Sequence, residues 1–320
     1  KGENMYRDKI KVLDCTVRDG GLINDHYFED DFVRNIYKAV SASGVDYMEI
    51  GYKASKKILS PDKFGKWKFC DEDDIKKAID GIESATKLSV MIDIGRVEKK
   101  DILPCKDSVV DLIRVATYVK DVDKAIDLAN EAASKGYETT INIMAISKAL
   151  DNELDEALDQ IEKESKVGTV FIVDSFGALY SENITYLANK YKKHLKTKEI
   201  GMHAHNNQQL AYANTIQAII DGANFVDGTI YGIGRAAGNC PLELLIGFLK
   251  NPKYDIRPII DAISKIMLPM QKNMEWGYLI PYAISGMFNE HPRSAMAFRK
   301  TDKKDDYLEF YESMSAMEID

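Results

Sequence analysis

The sequence predicts an α/β fold, a (β/α)8 TIM barrel with a helical C-terminal extension. Three observations predict it. Eight short apolar runs rich in β-branched residues recur along the chain, stretches of helical period separate them, and each run ends on polar residues. Strands alternating with helices of about 10–15 residues imply βαβ units and a parallel sheet, and eight such units in about 250 residues close a barrel. The competing architecture, a doubly wound open sheet, usually has fewer strands and a glycine-rich first turn around a phosphate. Here the first turn reads Arg18-Asp19-Gly20-Gly21, which is a different sequence.

In chain order the expected strands are Lys11–Cys15, Tyr47–Tyr52, Leu88–Ile94, Leu112–Thr117, Thr140–Ala145, Val170–Asp174, Ile200–His205 and Phe225–Tyr231. The helical stretches between them include Phe28–Ala42, Glu72–Ser84, Val122–Ser134, Leu154–Glu164, Glu182–His194 and Gln208–Asp221. Ser181 with Glu182, and Asp121 with Asp123, supply capping and first-turn acids. Gly44, Gly136 and Gly222 stand where a left-handed residue often closes a helix. After Asn251-Pro252 the pattern changes: Ile256 to Met274 reads as one long helix bent near Pro269, and Gly277 to Asp320 reads as helical and mixed. We therefore assign residues 1–251 to the barrel and 252–320 to an extension packed on it.

Composition narrows the function classes. Hydrophobic residues make up 45% of the 320, enough for a large core, and the formal charge of −8 argues against a nonspecific nucleic-acid surface. No apolar run reaches membrane-spanning length, and the start, Lys1 to Lys11, is polar with no signal-peptide core. Cys15, Cys70, Cys105 and Cys240 form no C-x-x-C pair, so reduced thiols in a cytoplasmic protein are expected.

In a barrel the chemistry sits at the carboxyl ends of the strands. Strand one ends in Thr16, Arg18 and Asp19, strand two carries Glu49, Tyr52 and Lys53, and strand three Asp93 and Arg96. Arg114 and Thr117 follow on strand four, Asn142 on five, Asp174 and Ser175 on six, and a loop containing Arg235 and Asn239 after eight. Thr117, Asn142 and Asp174 are the candidates for substrate binding. Strand seven gives His203 and His205, whose side chains share one face because strand side chains alternate. Two imidazoles there form half of a divalent-metal site, which Asp19 can complete. Singly, each residue also has a structural reading: satisfied core histidines, an aspartate cap, ion-pair partners, small buried cysteines. Gathered on one rim, they favour a site.

Three motifs carry a resemblance to the DRE-TIM metallolyase superfamily, the HMG-CoA-lyase-like barrels. They are Asp14-x-Thr16-x-Arg18-Asp19-Gly20, His203-Ala204-His205-Asn206-Asn207, and Gly232-Ile233-Gly234-Arg235-Ala236-Ala237-Gly238-Asn239. The likeness runs over roughly Val12 to Leu249 and is nearest to 4-hydroxy-2-oxovalerate aldolase-type members, whose tail Trp276-Gly277-Tyr278 also resembles. It implies that Asp19, His203 and His205 hold a divalent metal, Mn2+ or Mg2+ ahead of Zn2+, with Asn239 as a fourth ligand. It further implies that Arg18 stabilises an enolate oxygen and that Glu49 orients Arg18 or a polar substrate group.

The general acid or base does not carry over. Leu22 occupies the place where these aldolases have a histidine, and the strand-eight loop lacks the cysteine of the acyl-CoA lyases. His26, Tyr278 and His291 are the candidates. The resemblance thus implies a metal-dependent aldolase-type carbon–carbon lyase acting on a small 2-oxo acid through a metal-held, pyruvate-like enolate. The alternatives are a Claisen-type acyl-CoA/2-oxo acid synthase and a barrel that only binds a partner. No organic cofactor, nucleic acid or membrane is expected. A homodimer is expected from the superfamily; a partner aldehyde dehydrogenase, known for some related aldolases, is specified by no residue here.

Overall fold

A computed structural model describes residues 9–317, so most of the polar opening segment lies outside the described residues. Eight parallel strands close in sequence order: β1 (Lys11–Asp14), β2 (Tyr47–Tyr52), β3 (Lys87–Asp93), β4 (Leu112–Thr117), β5 (Glu138–Ile143), β6 (Thr169–Asp174), β7 (Glu199–Ala204) and β8 (Phe225–Gly228). β8 closes the barrel on β1 in the register Lys11↔Phe225 to Asp14↔Gly228. The strands begin and end within a few residues of the positions expected from the apolar runs. The helices between them fall where expected, among them Asp30–Ala42, Val122–Ser134, Asp151–Glu164 and Ser181–His194.

Side-chain alternation sorts each strand into an outward set facing the helices and an inward set filling the barrel. Leu13, Tyr47, Leu112, Phe171 and Phe225 form an apolar inner cluster. β7 contributes Gly201 to this region because the Phe171 ring fills the space: a Cβ at Gly201 would lie 2.5 Å from it. Two residues further along their strands, the same inward positions are charged: Glu49, Arg114, His203 and Asp227, all buried. The barrel thus changes from apolar plug to polar site within one pleat repeat.

Gly44, Gly136 and Gly222 have φ of +70°, +98° and +104°, the left-handed closures expected of them. The cap expected at Ser181 is displaced by one residue. Tyr180 is the N-cap, and the Asn183 side chain accepts from its backbone N–H at 3.0 Å. The long C-terminal helix spans Arg257–Gln271, with a π-helical stretch at Ile263–Met267 just before Pro269. Proline lacks an N–H and crowds the carbonyl four residues back, and a wider turn relieves both effects. Ile259 and Met267 join the main core. Beyond them Tyr282, Ile284, Ala295, Phe310 and Met314 pack on Ala236 and Ala237 of the strand-eight loop. The last helices thereby roof one side of the strand ends.

Candidate active site

The site is built from a closed ring of buried charges. Arg18, on the one-turn helix Thr16–Gly20 after β1, donates from Nε to Glu49 Oε2 at 2.6 Å and from Nη1 to Asp19 Oδ2 at 2.9 Å. Arg114 of β4 donates to the same Glu49 oxygen at 3.0 Å and to Asp227 Oδ2 at 2.5 Å. Asp227 faces His203 Nδ1 at 2.9 Å, and His203 Nε2 faces Asp19 Oδ2 at 3.3 Å. Two guanidiniums and one imidazole alternate with three carboxylates around the ring, from five strand ends; the imidazole carries charge only while no metal holds its Nε2. Arg114 also stacks on Phe171, its guanidinium carbon 4.5 Å from the ring centroid.

The ring fixes the charge states. Burial opposes ionisation of Asp19, but Arg18 and the two histidines outweigh it and hold its carboxyl well below the usual range. Burial likewise opposes a charged His203, yet its hydrogen bonds to Asp19 and Asp227 raise its pKa. Arg18 is held charged by Asp19 and Glu49 against its burial. His205, buried without a carboxylate on its ring, is pushed down to about 3, and its Nδ1 faces the Gly238 carbonyl at 3.3 Å.

The donor chemistry fits a divalent cation, but among the described residues only Cys15, Asp19 and His203 place His, Cys, Asp or Glu ligand atoms within 4.8 Å of one another, and His205 stands outside that group. Asp227 and the Gly238 carbonyl hold the two imidazoles by Nδ1, which leaves Nε2 of each as the ligating atom, an arrangement typical of metal-binding histidines. Asp19 Oδ1 and Asn239 Oδ1 are buried with no hydrogen-bond partner, so two oxygen donors are available. Asn239 is fixed by its amide N–H, which donates to the Ile233 carbonyl at 3.0 Å, and by a backbone bridge to His205. Cys15 Sγ also lies within 4.8 Å of the Asp19 and His203 ligand atoms. Burial pushes its thiol well above the ordinary range, and it points at the Gly228 carbonyl, consistent with a small buried filler.

Above the ring a cavity of about 430 Å³ opens between the strand ends and the C-terminal helices. Arg18, His203, His205, Thr117 and Asn142 line it, and so does Leu22. Asp174 does not: its carboxylate accepts from the backbone N–H groups of Ala178 and Leu179 at 3.0 and 3.2 Å, holding the turn after β6. Burial raises its pKa to about 6 despite those bonds. His26 is buried edge-on to Tyr52, ring centroids 5.2 Å apart, and is not on the cavity wall. Tyr278 is 56% exposed and also off the wall. His291 lines the cavity beside Arg235, and it alone of the three proton-transfer candidates does so.

Several residues that shape the site have no assigned role in the sequence reading. Asp227 had a signal, since it lies two residues after Phe225 and so shares its inward face. Lys68 and Arg293 also line the cavity. Lys68 comes from an irregular stretch between β2 and the next helix, where no periodicity tells direction.

A family model described as HMGL-like matches residues 9–267. Oxaloacetate decarboxylase of Mycobacterium tuberculosis is 30% identical over 271 residues, covering 82% of this chain and 77% of that protein. A 4-hydroxy-2-oxovalerate aldolase of Thermus thermophilus is 28% identical over 81% of this chain and 75% of its own length. Among solved structures, the N-terminal domain of a putative aldolase from Bacteroides vulgatus superposes with a TM-score of 0.78 at 28% identity, covering 93% of this chain and all of that one. The resemblance carried by the three motifs is thus borne out over the barrel.

Proposed function

Because the chain belongs to the HMGL-like family, we propose that it is a divalent-metal-dependent, aldolase-type carbon–carbon lyase acting on a small 2-oxo acid. The observation that carries this reading is the placement of Arg18. Its Nε and Nη1 are tied to Glu49 and Asp19, so the guanidinium reaches the cavity in one orientation, beside His203 and His205. Cleaving or forming a bond next to a 2-oxo acid passes through an enolate, and a pre-aimed guanidinium stabilises that charge without reorganising. Asp19, His203, His205 and Asn239 would hold the metal, which supplies a Lewis acid to the carbonyl oxygen when bound. Asp19 and Asn239 offer the oxygen donors that Mn2+ and Mg2+ favour, while the two imidazoles also suit softer divalent ions.

His291 is the group we assign to proton transfer. Burial, Arg235 and Arg293 push it down to about 4, so it rests neutral on the cavity wall, each ring nitrogen facing an arginine N–H. Glu49 acts through Arg18 as a positioning residue. Thr117 and Asn142 face the substrate, while Asp174 serves the turn. The finer expectations, a homodimer and a reducing cytoplasm, belong to the same reading; the four free cysteines bear only on the second, as thiols a reducing compartment would keep.

The test is exchange of pyruvate C3 protons with deuterated solvent, followed by NMR with Mn2+-loaded protein. We expect exchange in the wild type, and loss of both exchange and stoichiometric Mn2+ in Asp19→Asn and His203→Ala. Stoichiometric metal in both variants would overturn the ligand assignment. A wild type that binds Mn2+ but leaves pyruvate unexchanged would overturn the reaction class.

A further inference from the structure

The cavity carries more positive charge than the 2-oxo acid end of a substrate requires. Arg18, Lys68, Arg96, Lys120, Arg235 and Arg293 line it, against two acids, Asp93 and Asp121, in a chain whose formal charge is −8. Both acids are already engaged, Asp93 by Arg96 at 2.9 Å and Asp121 by Lys124 at 2.6 Å. Arg18 belongs to the ring. The two cations left over on the inner wall are Lys68 and Arg235.

Lys68 is 3% exposed. Its Nζ lies 3.5 Å from the centroid of the Tyr52 ring, and among the described residues it has no carboxylate within salt-bridge distance. A cation–π contact offsets only part of the cost of burying an ammonium. Arg235 also lacks a carboxylate. Its Nη2 donates to the Ser175 carbonyl at 3.2 Å, and its Nε is buried with no partner. Its Nη1 lies 3.0 Å from His291 Nε2, while His291 Nδ1 already accepts from the Arg293 backbone N–H at 3.1 Å. A neutral imidazole has one acceptor nitrogen. The imidazole can therefore answer the Arg293 N–H or Arg235 Nη1 but not both, and no carboxylate answers Arg235. Buried Lys68 and half-buried Arg235 line one cavity with no carboxylate on either, and together they are the counterpart of an anion.

We propose that the substrate is at least a dianion: beyond the 2-oxo acid end it carries a second acid group, a carboxylate or a phosphate, received by Lys68 and Arg235. The inference rests on the lyase reading above and names the other half of its substrate. In the synthetic direction pyruvate loses a C3 proton, C3 bonds to the aldehyde carbon, and the aldehyde oxygen takes up a proton. The product is a 4-hydroxy-2-oxo acid with the second acid group at its far end.

The experiment compares aldehydes of matched length with pyruvate and Mn2+-loaded protein: glyoxylate against acetaldehyde, succinic semialdehyde against butanal, with glycolaldehyde phosphate as the phosphate arm. We expect kcat/KM for an acidic aldehyde to exceed that for its neutral match at least tenfold, and the better of the carboxylate and phosphate arms to identify the group. In Lys68→Met and Arg235→Met that preference shrinks at least tenfold, through KM for the aldehyde, and Lys68→Arg restores part of it. Equal or better use of neutral aldehydes by a wild type that exchanges pyruvate protons overturns this inference alone. So does a preference unchanged in both methionine variants. A wild type that exchanges no pyruvate protons overturns the lyase reading and this inference with it.

Discussion

Replacing Glu49 by glutamine keeps the shape of the ring and removes one of its three negative charges. The carboxylate is fully buried and serves two guanidiniums through one oxygen, Arg18 at 2.6 Å and Arg114 at 3.0 Å. An amide oxygen still accepts, but the ring is left with one uncompensated buried cation. Breaking a buried pair from one side costs about 3–5 kcal/mol, and the surviving acceptor puts this case near 3. Arg114→Met alone leaves the opposite excess and should cost a similar amount. The double variant Glu49→Gln/Arg114→Met has equal numbers of charges again, and the methionine can lie on Phe171 as the guanidinium did. Its loss should therefore fall short of the sum of the single losses by at least about 1.5 kcal/mol. Urea unfolding followed by far-UV circular dichroism reads all three. Pyruvate exchange should stay low in the double variant, because Arg18 Nε still lacks its carboxylate. Single losses below about 1 kcal/mol, or additivity within about 0.5 kcal/mol, would refute the idea that charge balance around the ring governs these energies.

Three further outcomes are expected. Arg18→Lys keeps the charge but loses the two-point hold, and should lower the exchange rate by about 10²–10³-fold, roughly 3–4 kcal/mol, with bound Mn2+ measured by elemental analysis unchanged; near-normal exchange would contradict the enolate role. Burial lets the folded chain keep the Asp174 proton up to about pH 6, whereas the unfolded chain loses it near the ordinary 3.8, so this group's penalty on stability grows as pH rises from about 4 to 6 and is complete above that. The stability of Asp174→Asn relative to wild type should consequently improve by up to roughly 3 kcal/mol between pH 4 and 7 in urea titrations, and a pH-independent difference would count against a buried, protonating carboxyl. Gly238 has φ +77°, a Cβ there would lie 1.9 Å from the Gly232 carbonyl oxygen, and its own carbonyl faces His205 Nδ1; Gly238→Ala should weaken Mn2+ affinity by about 10–100-fold in calorimetric titration, and unaltered affinity would show that His205 does not need this hold.

The barrel was legible because its strands announce themselves locally. β-Branched runs and the period of two placed Glu49, Arg114, His203 and His205 before any pairing was known. What could not be read was anything set by the meeting of distant segments. Asp227 becomes the partner of His203 only because β7 and β8 are neighbours. Lys68 reaches the cavity through an aperiodic segment whose path depends on close backbone approaches, such as that of Gly51 to the Trp67 carbonyl. Tyr278 illustrates the reverse: Trp276 takes the buried position, its indole N–H donating to the Tyr231 carbonyl at 3.2 Å. Gly277, with φ +107°, then turns the chain, and Tyr278 faces outward. The buried tyrosine of this segment is Tyr282, whose hydroxyl donates to Glu275 at 2.7 Å.

The closed ring of charges also bears on how such a chain can change over generations. Each of its six members is answered by two others, so a lone replacement leaves an excess of one sign in a buried site. Neutral drift is blocked one residue at a time and open two at a time, for opposite charges lost together. Descendants of this chain should therefore keep all six residues or differ at adjacent members in pairs, while Leu22 and Lys68, tied to no such partner, remain free to retune what the barrel accepts.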